Sequence, residues 1–221
     1  MTGGSEPLHP DLVPYLDEDS DQPVLHHRFI IDIGVDPVRY EAINGLYRQK
    51  LAYARKAFRN QDWVKYVFLH ERPYRLSALR RCFRSGLIGE GYWHLVAQVW
   101  IDSENIHQYG KQWRALWSAD TTGRNQAMTT GEQQAHANLP DETTVWRGTA
   151  YRDSIQGLSW TTDRAKAEWF ARRSLDRYRG KGPALLVTGT VRREDVFAVI
   201  FQRKENEVVC RKVTVTDVQE L

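Results

Sequence analysis

Apolar residues recur at every third or fourth position through the stretch from Pro37 to about Pro140. The segment VRYEAINGLYRQKLAYARKAF shows this spacing most clearly, and it is the spacing of an amphipathic helix. The same pattern predicts further helices at 63–69, 76–83, 92–100, 103–117 and 130–137. The large aromatic residues within them are expected to be core residues: Trp93, Trp100, Trp113 and Trp117.

After Pro140 the pattern changes to short β-rich runs. These are TTVWRG, GLSWTT, PALLVTGTV, VFAVIF, EVVC and KVTVTDV, and one helical segment, DRAKAEWFARRSLDRYR, interrupts them. Asp163 is expected to cap that helix, with Trp169 and Phe170 on its apolar side. Nearer the N-terminus, VLHHRFIIDIGV predicts one short strand. The order of elements predicts an α+β protein with mainly antiparallel strands.

Composition changes along the chain and suggests three parts. Residues 1–24 are rich in Pro, Gly and acidic residues, which predicts a flexible acidic arm. Residues 25–140 form the mainly helical region, and residues 141–221 form the β-rich core. Pro140 marks the predicted boundary between the two.

The overall composition is that of a globular protein. Hydrophobic residues make up 41% of the chain, and Cys82 and Cys210 are too few for a disulfide framework. No charged-then-apolar leader precedes the arm, and no apolar run approaches the roughly 18 residues of a membrane span. We therefore expect a cytoplasmic protein whose partners do not include a membrane.

The formal net charge of +3 hides an uneven distribution. Residues 1–36 hold eight acidic residues and Arg28, whereas residues 39–84 hold twelve Lys and Arg against three acidic residues. Aromatic residues interleave with these cations, a combination typical of nucleic-acid binding. Arg55, Lys56 and Arg59 are the candidate contacts. A solvated helical face explains the same pattern equally well.

Three motifs in the β-rich part combine polar residues with strand context. Arg147 ends the strand-like TVWRG, Ser159 and Thr161 lie in GLSWTTD, and QRKENEVVC contains Glu205 and Glu207. In an extended chain residues i and i+2 point to the same side, so the two glutamates are expected to face one pocket. An ordinary solvated strand edge is the alternative.

In this order and context the motifs resemble those of the ADP-ribosyltransferase superfamily, specifically its Arg–Ser–Glu branch. The resemblance covers about residues 145–215. It implies a mainly antiparallel, split β-sheet core, with NAD as the donor substrate. No metal is expected, because His26 and His27 diverge on a strand and no Cys or carboxylate cluster completes a site. By family analogy the resemblance also implies a toxin of a toxin–antitoxin or phage-defence system, with an antitoxin protein as a further partner.

The resemblance implies roles for the three motif residues. Glu207 would stabilise the positive charge that develops on the ribose as the bond to nicotinamide breaks. Arg147 would bind a phosphate or the adenosine-side ribose of NAD. Ser159 would hold Arg147, Glu207 or the other ribose through its hydroxyl, and Thr161 would support the strand beneath it.

The remaining candidates surround these residues. In family members that modify protein arginine, the upstream glutamate deprotonates the acceptor, which is the role implied for Glu205. Gly148 would let the backbone approach the nicotinamide, and Tyr151 would stack on a ring of NAD or pack a loop. Arg203 and Lys204 either draw in a nucleic acid or balance the neighbouring glutamates.

The favoured function is therefore mono-ADP-ribosyl transfer from NAD to a macromolecule, with RNA or DNA narrowly preferred because of the charge asymmetry. Three alternatives stay open. They are ADP-ribosylation of protein arginine, hydrolysis of NAD without an acceptor, and a non-catalytic nucleic-acid-binding module in which the motifs occur by chance.

Overall fold

The computed structural model describes residues 6–19, 22–104, 106–178 and 182–221, with the side chains of 175–178 left aside. The chain divides into two compact units, Met1–Leu87 and Ile88–Leu221. The boundary thus follows Leu87 and does not lie near Pro140. The helices between these two points belong to the same unit as the β-rich strands, and Trp117 from this stretch stacks on Phe197 of the β-rich part.

The first unit combines a small antiparallel sheet with helices. Its strands are β1 (Leu16–Asp17), β2 (Val24–His27) and β3 (Ile30–Ile33), and its helices are α1 (Tyr40–Arg59), α2 (Trp63–Phe68) and α3 (Arg75–Arg84). The predictions of these helices are confirmed. The prediction of one strand over VLHHRFIIDIGV is wrong, because Arg28 and Phe29 form a turn that folds the segment into a hairpin with His27 opposite Ile30.

The described part of the predicted flexible arm is folded onto α1. Leu8 and Leu12 are buried, and the Asn44 side chain accepts a hydrogen bond from the His9 N–H (2.7 Å). The Tyr47 hydroxyl donates to Asp11 (2.7 Å). The arm prediction failed because apolar residues lie between its acidic residues. Residues 1–5 and 20–21 lie outside the described part.

The second unit is built on an antiparallel sheet, six-stranded in the described part, with strand order β7-β8-β5-β4-β6-β9. The strands are β4 (Glu142–Thr149), β5 (Ser159–Thr161), β6 (Leu185–Arg192), β7 (Val196–Ile200), β8 (Glu207–Cys210) and β9 (Thr214–Glu220). Within the described residues, β4 and β5 pair only at Trp146 opposite Thr161, so the sheet nearly separates into two halves. The α+β class with mainly antiparallel strands is confirmed.

The helices of the second unit are α4 (Gly89–Asp102), α5 (Gly110–Trp117), α6 (Thr130–Ala137) and α7 (Arg164–Tyr178). The single helix predicted at 103–117 is wrong. Ser103 is extended, and a 3₁₀ turn at Ile106–Tyr109 precedes α5. The four core tryptophans named above are all buried, as predicted.

Helix α7 lies directly against strand β4 at Gly148. A Cβ on this glycine would stand 1.8 Å from the carbonyl oxygen of Ala167 and 2.5 Å from the nitrogen of Ala171. Both alanines are fully buried. The backbone of α7 fills the space on the Cβ side of Gly148, which gives this glycine a packing role; its expected role in approaching nicotinamide stays a prediction.

Within the described residues, none of the helices is long and apolar enough to cross a bilayer. The same residues contain no group of three or more His, Cys, Asp or Glu side chains placed to hold a metal ion.

Candidate functional site

The site centres on a hydrogen bond between Ser159 and Glu207. Ser159 opens β5 and Glu207 opens β8, and these neighbouring strands pair with Thr161 opposite Glu207. The Ser159 hydroxyl donates to Glu207 Oε1 at 2.5 Å. Two motif residues that are 48 positions apart thus meet at one end of the sheet.

The Glu207 carboxylate is almost completely buried, with 3% of the residue exposed. Its Oε1 also accepts the indole N–H of Trp100 at 3.2 Å, while its Oε2 is buried with no hydrogen-bond partner in the described structure. Burial raises the pKa of Glu207, and the Ser159 hydroxyl, the Arg203 charge and the Trp100 indole oppose that rise. Oε1 is therefore anchored by two donors. Oε2 lacks a hydrogen-bond donor among the described residues, and a ligand can supply one.

Arg147 lies on β4, the strand next to β5, and it bonds to main-chain atoms. Its Nε donates to the Ser154 carbonyl (2.8 Å) and its Nη1 to the Ser159 carbonyl (2.6 Å). Desolvation lowers its pKa to about 10, opposed by the Glu207 charge, so the guanidinium stays protonated at neutral pH. Of its three nitrogens, only Nη2 makes no hydrogen bond within the described residues, which restricts the predicted contact with NAD to this atom.

Gly157 makes room for the Arg147 guanidinium. A Cβ on Gly157 would lie 2.3 Å from Cζ of Arg147 and 2.6 Å from Nη2. The peptide at Gly157 also accepts the indole N–H of Trp160 (2.8 Å). Gly157 stands two residues before the Ser-x-Thr motif, which was the available sequence signal. The sequence alone does not show that the absence of a side chain leaves space for Arg147.

Glu205 lies in the turn before β8 and not on the strand. Lys204 and Asn206 both have left-handed backbone angles, with φ of 55° and 47°. The argument from strand alternation is therefore wrong for Glu205 and Glu207, because Asn206 turns the chain between them. The two carboxylates are nevertheless close enough for the Glu205 charge to raise the pKa of Glu207.

Thr161 fixes the turn that carries Glu205. Its hydroxyl donates to the Glu205 carbonyl (2.7 Å) and accepts the N–H of Asp163 (3.0 Å). Asp163 in turn caps α7, because its carboxylate accepts the N–H of Lys166 (3.1 Å). The supporting role expected for Thr161 thus takes a specific form, a tether between the Glu205 turn and the first turn of α7.

Arg203 holds the end of α4. Its Nη2 donates to the carbonyls of Trp100 and Ser103, each at 3.0 Å. Cations near the last carbonyls of a helix are stabilising, and this one also places Trp100 beside Glu207. These contacts give Arg203 a positioning role, and its charge also acts on Glu205 and Glu207, as the charge-balance alternative expects. Contact of Arg203 with nucleic acid stays a prediction.

Tyr151 is half-buried and stacks on His107. Their ring centroids are 5.3 Å apart, and the planes are inclined by 20°. Burial lowers the pKa of His107, and the Arg147 charge lowers it further, which puts the stacked pair near the guanidinium. One face of the Tyr151 ring is thus covered by protein, and the predicted stacking on NAD has only the other face.

The remaining candidates are surface residues. Lys204 is exposed in the turn before Glu205, and Arg55, Lys56 and Arg59 are exposed in the second half of α1, which belongs to the first unit. Their exposure is compatible with nucleic-acid binding and equally with a solvated face. These four stay predictions.

Trp100 belongs to the candidate site, although the sequence pattern predicted only a core residue. It was predicted as core, and it is fully buried, yet its indole N–H is one of the two donors that bind Glu207. A buried tryptophan usually finds a partner for its N–H, which was the only available signal.

Comparison of the chain with protein-family models, with curated proteins and with solved structures finds no match.

Proposed function

We propose that the protein transfers ADP-ribose from NAD to a macromolecular acceptor, with the second unit as the catalytic one. The observation that carries the proposal is the buried Glu207 carboxylate, which has one oxygen anchored by Ser159 and Trp100 and the other without a hydrogen-bond partner among the described residues. A carboxylate fixed in this way costs stability, and such cost is typical of functional sites.

NAD carries groups that can complete the two unfinished hydrogen-bonding sets of the site. A ribose hydroxyl supplies the donor that Glu207 Oε2 lacks. A phosphate or ribose oxygen accepts from Nη2 of Arg147, whose other nitrogens are occupied by carbonyls. The bond between ribose C1′ and the nicotinamide nitrogen then breaks, and nicotinamide leaves with the electron pair. Glu207 stabilises the positive charge left on the sugar.

Glu205 is the proposed general base of the transfer. The acceptor attacks C1′ through an oxygen or nitrogen, and its proton passes to the Glu205 carboxylate. Burial raises the pKa of Glu205, while the charges of Arg203, Lys166 and Arg173 oppose the rise. A raised pKa strengthens a base that must still be ionised near neutral pH.

Labelled NAD tests the proposal directly. The purified protein is incubated with NAD labelled in the adenosine part, total RNA, denatured DNA and a cell lysate, and the products are digested with nuclease or with protease. We expect label that nuclease removes. Label removed only by protease would identify a protein acceptor, whereas consumption of NAD without label would identify a hydrolase. No consumption of NAD would contradict the proposal.

Trp100→Phe tests whether the indole N–H positions and tunes Glu207. The change removes the donor at 3.2 Å but keeps an aromatic ring in the core. We expect about a tenfold lower kcat, since a hydrogen bond to a charged group contributes about 1.5 kcal/mol. Because the indole lowers the pKa of Glu207, its loss should also move the acidic limb of the pH–rate profile to higher pH.

Trp113→Phe is the matched control for Trp100→Phe. The two rings pack edge to face with centroids 5.0 Å apart, and both are buried. Trp113→Phe removes the same volume from the same cluster but no bond to Glu207. It should lower the melting temperature and leave the acidic limb in place. Equal shifts of that limb in both variants would show that Trp100 acts only through packing.

A further inference from the structure

Trp169 is an exposed tryptophan on α7, with 49% of the residue accessible. The helix packs onto β4 through Ala167 and Ala171, which are fully buried. Trp169 lies two positions from each of them and so falls on the opposite side of the helix. The prediction that Trp169 forms part of the apolar side of α7 is wrong, and its exposure calls for another explanation.

Two cations flank the Trp169 ring. Arg173 Cζ lies 4.8 Å from the ring centroid and Lys166 Nζ lies 5.8 Å from it. The described side chains of α7 also include Arg164, Arg172 and one acidic residue, Glu168. Arg164 pairs with Glu168 (2.9 Å). The helix therefore presents an aromatic surface with excess positive charge around it.

This surface lies beside the proposed general base. The Thr161 hydroxyl bonds the Glu205 carbonyl, and the Asp163 cap connects that bond to the backbone of Lys166. The charges of Lys166 and Arg173 also act on the Glu205 carboxylate. The residues that surround Trp169 are thus next to the group that would take the acceptor's proton.

We propose that Trp169, Lys166 and Arg173 bind a single-stranded nucleic acid and bring one of its nucleotides to Glu205. A base stacks on the indole of Trp169, and the two cations contact the phosphates on either side. Exposed cation–π contacts are weak, so a base can displace either cation from the ring. The delivery of the nucleotide rests on the proposed transferase function, whereas the binding itself does not.

Fluorescence anisotropy with a labelled single-stranded RNA of mixed sequence, without NAD, tests the binding. We expect Trp169→Ala to weaken it by about tenfold or more and Trp169→Phe by less, because stacking on an aromatic ring accounts for roughly that factor per base. Lys166→Ala and Arg173→Ala should each reduce the salt dependence of log K by about 0.7, the slope per phosphate contact in a single strand.

Lys212→Ala is the matched control. Lys212 is exposed and lies beyond Cys210, at the end of β8 opposite to Glu207. The variant loses the same charge as Lys166→Ala and should keep both the affinity and the salt slope. If Trp169→Ala binds the strand as tightly as the unaltered protein, the proposal is wrong.

Two other results would also overturn it. One is that Arg55→Glu, Lys56→Glu and Arg59→Glu together remove all binding while Trp169→Ala removes none, which would assign the nucleic acid to α1. The other is that Trp169→Ala abolishes labelling of a protease-sensitive acceptor and leaves RNA affinity unchanged, which would assign a protein acceptor to this surface.

The binding and the transferase function fail in different ways. A Glu207→Gln protein should bind the strand normally, since Glu207 does not belong to the surface. Binding that depends on Trp169 without any transfer of label would support the surface and contradict the transferase. Transfer of label to RNA that Trp169→Ala leaves unchanged would support the transferase and contradict the surface.

Discussion

Replacing Glu207 with Gln is expected to lower ADP-ribosyl transfer by about 10²–10³-fold, because it removes the charge placed where the sugar becomes positive. The substitution keeps the length of the side chain and an oxygen that can accept from Ser159 and Trp100. The expected loss is therefore one of transition-state stabilisation and not of folding. Release of nicotinamide and transfer of label measure it.

The same substitution should leave the protein at least as stable as before. In the unaltered protein one oxygen of the buried Glu207 carboxylate has no partner in the part of the chain that the structure describes, and burial holds the pKa of Glu207 above the ordinary value of 4.5. The folded state therefore binds more protons than the unfolded state, and the stability contributed by this group falls as the pH rises above about 4.5. The melting temperature of Glu207→Gln minus that of the unaltered protein should accordingly be larger at pH 8 than at pH 4.5.

Glu142→Gln is the matched control, since Glu142 is an exposed glutamate at the start of β4 in the same sheet. It should change neither transfer nor the pH dependence of stability. Full activity in Glu207→Gln would remove the basis of the proposed function. A large loss of stability at neutral pH would show that the Glu207 carboxylate has a structural partner after all.

Much of the second unit follows from patterns that are local in sequence. The β-rich run TTVWRG predicted β4, and the helical pattern of DRAKAEWFARRSLDRYR predicted α7, because both signals lie within one segment of the chain. The order of the three motifs suggested that Arg147, Ser159 and Glu207 meet. The pairing of β8 with β5 brings Ser159 to Glu207, although the two strands are far apart along the chain.

The turn before β8 shows where local reasoning stops. Alternation along an extended chain put Glu205 and Glu207 on one side, but the left-handed angles of Lys204 and Asn206 place Glu205 in a turn. Asn tolerates this conformation better than most residues, so Asn206 between the two glutamates was a signal for a turn. Residues i and i+2 lie on the same side only where the chain is already extended as a strand.

The contact between Trp100 and Glu207 could not be predicted from the pattern of either segment. Trp100 is 107 residues from Glu207, and a helical apolar pattern says that such a tryptophan is buried but not which group its N–H meets. The exposure of Trp169 likewise depends on how α7 packs against β4. The helical spacing is compatible with Trp169 on the buried face of α7, but the small residues Ala167 and Ala171 are the ones that fit against β4.

Gly148→Ala is expected to disrupt the second unit. The new methyl carbon would lie 1.8 Å from the Ala167 carbonyl oxygen and 2.5 Å from the Ala171 nitrogen, and both are backbone atoms of α7 that no rotamer change can move away. Overpacking of this kind costs about 3 kcal/mol or more, and the melting temperature should fall by roughly 6–12 °C. Thermal unfolding followed by circular dichroism measures the shift.

Gly131→Ala provides the matched control, because Gly131 lies in α6 of the same unit with nothing within 4 Å of its Cβ position. An added methyl group there should raise the stability slightly, by about 0.5–1 kcal/mol. Ala167→Gly should not rescue Gly148→Ala, since the clash is with the Ala167 backbone. If Gly148→Ala instead melts normally and loses only the turnover of NAD, the glycine serves the approach of the ligand, and the packing of α7 on β4 does not depend on it.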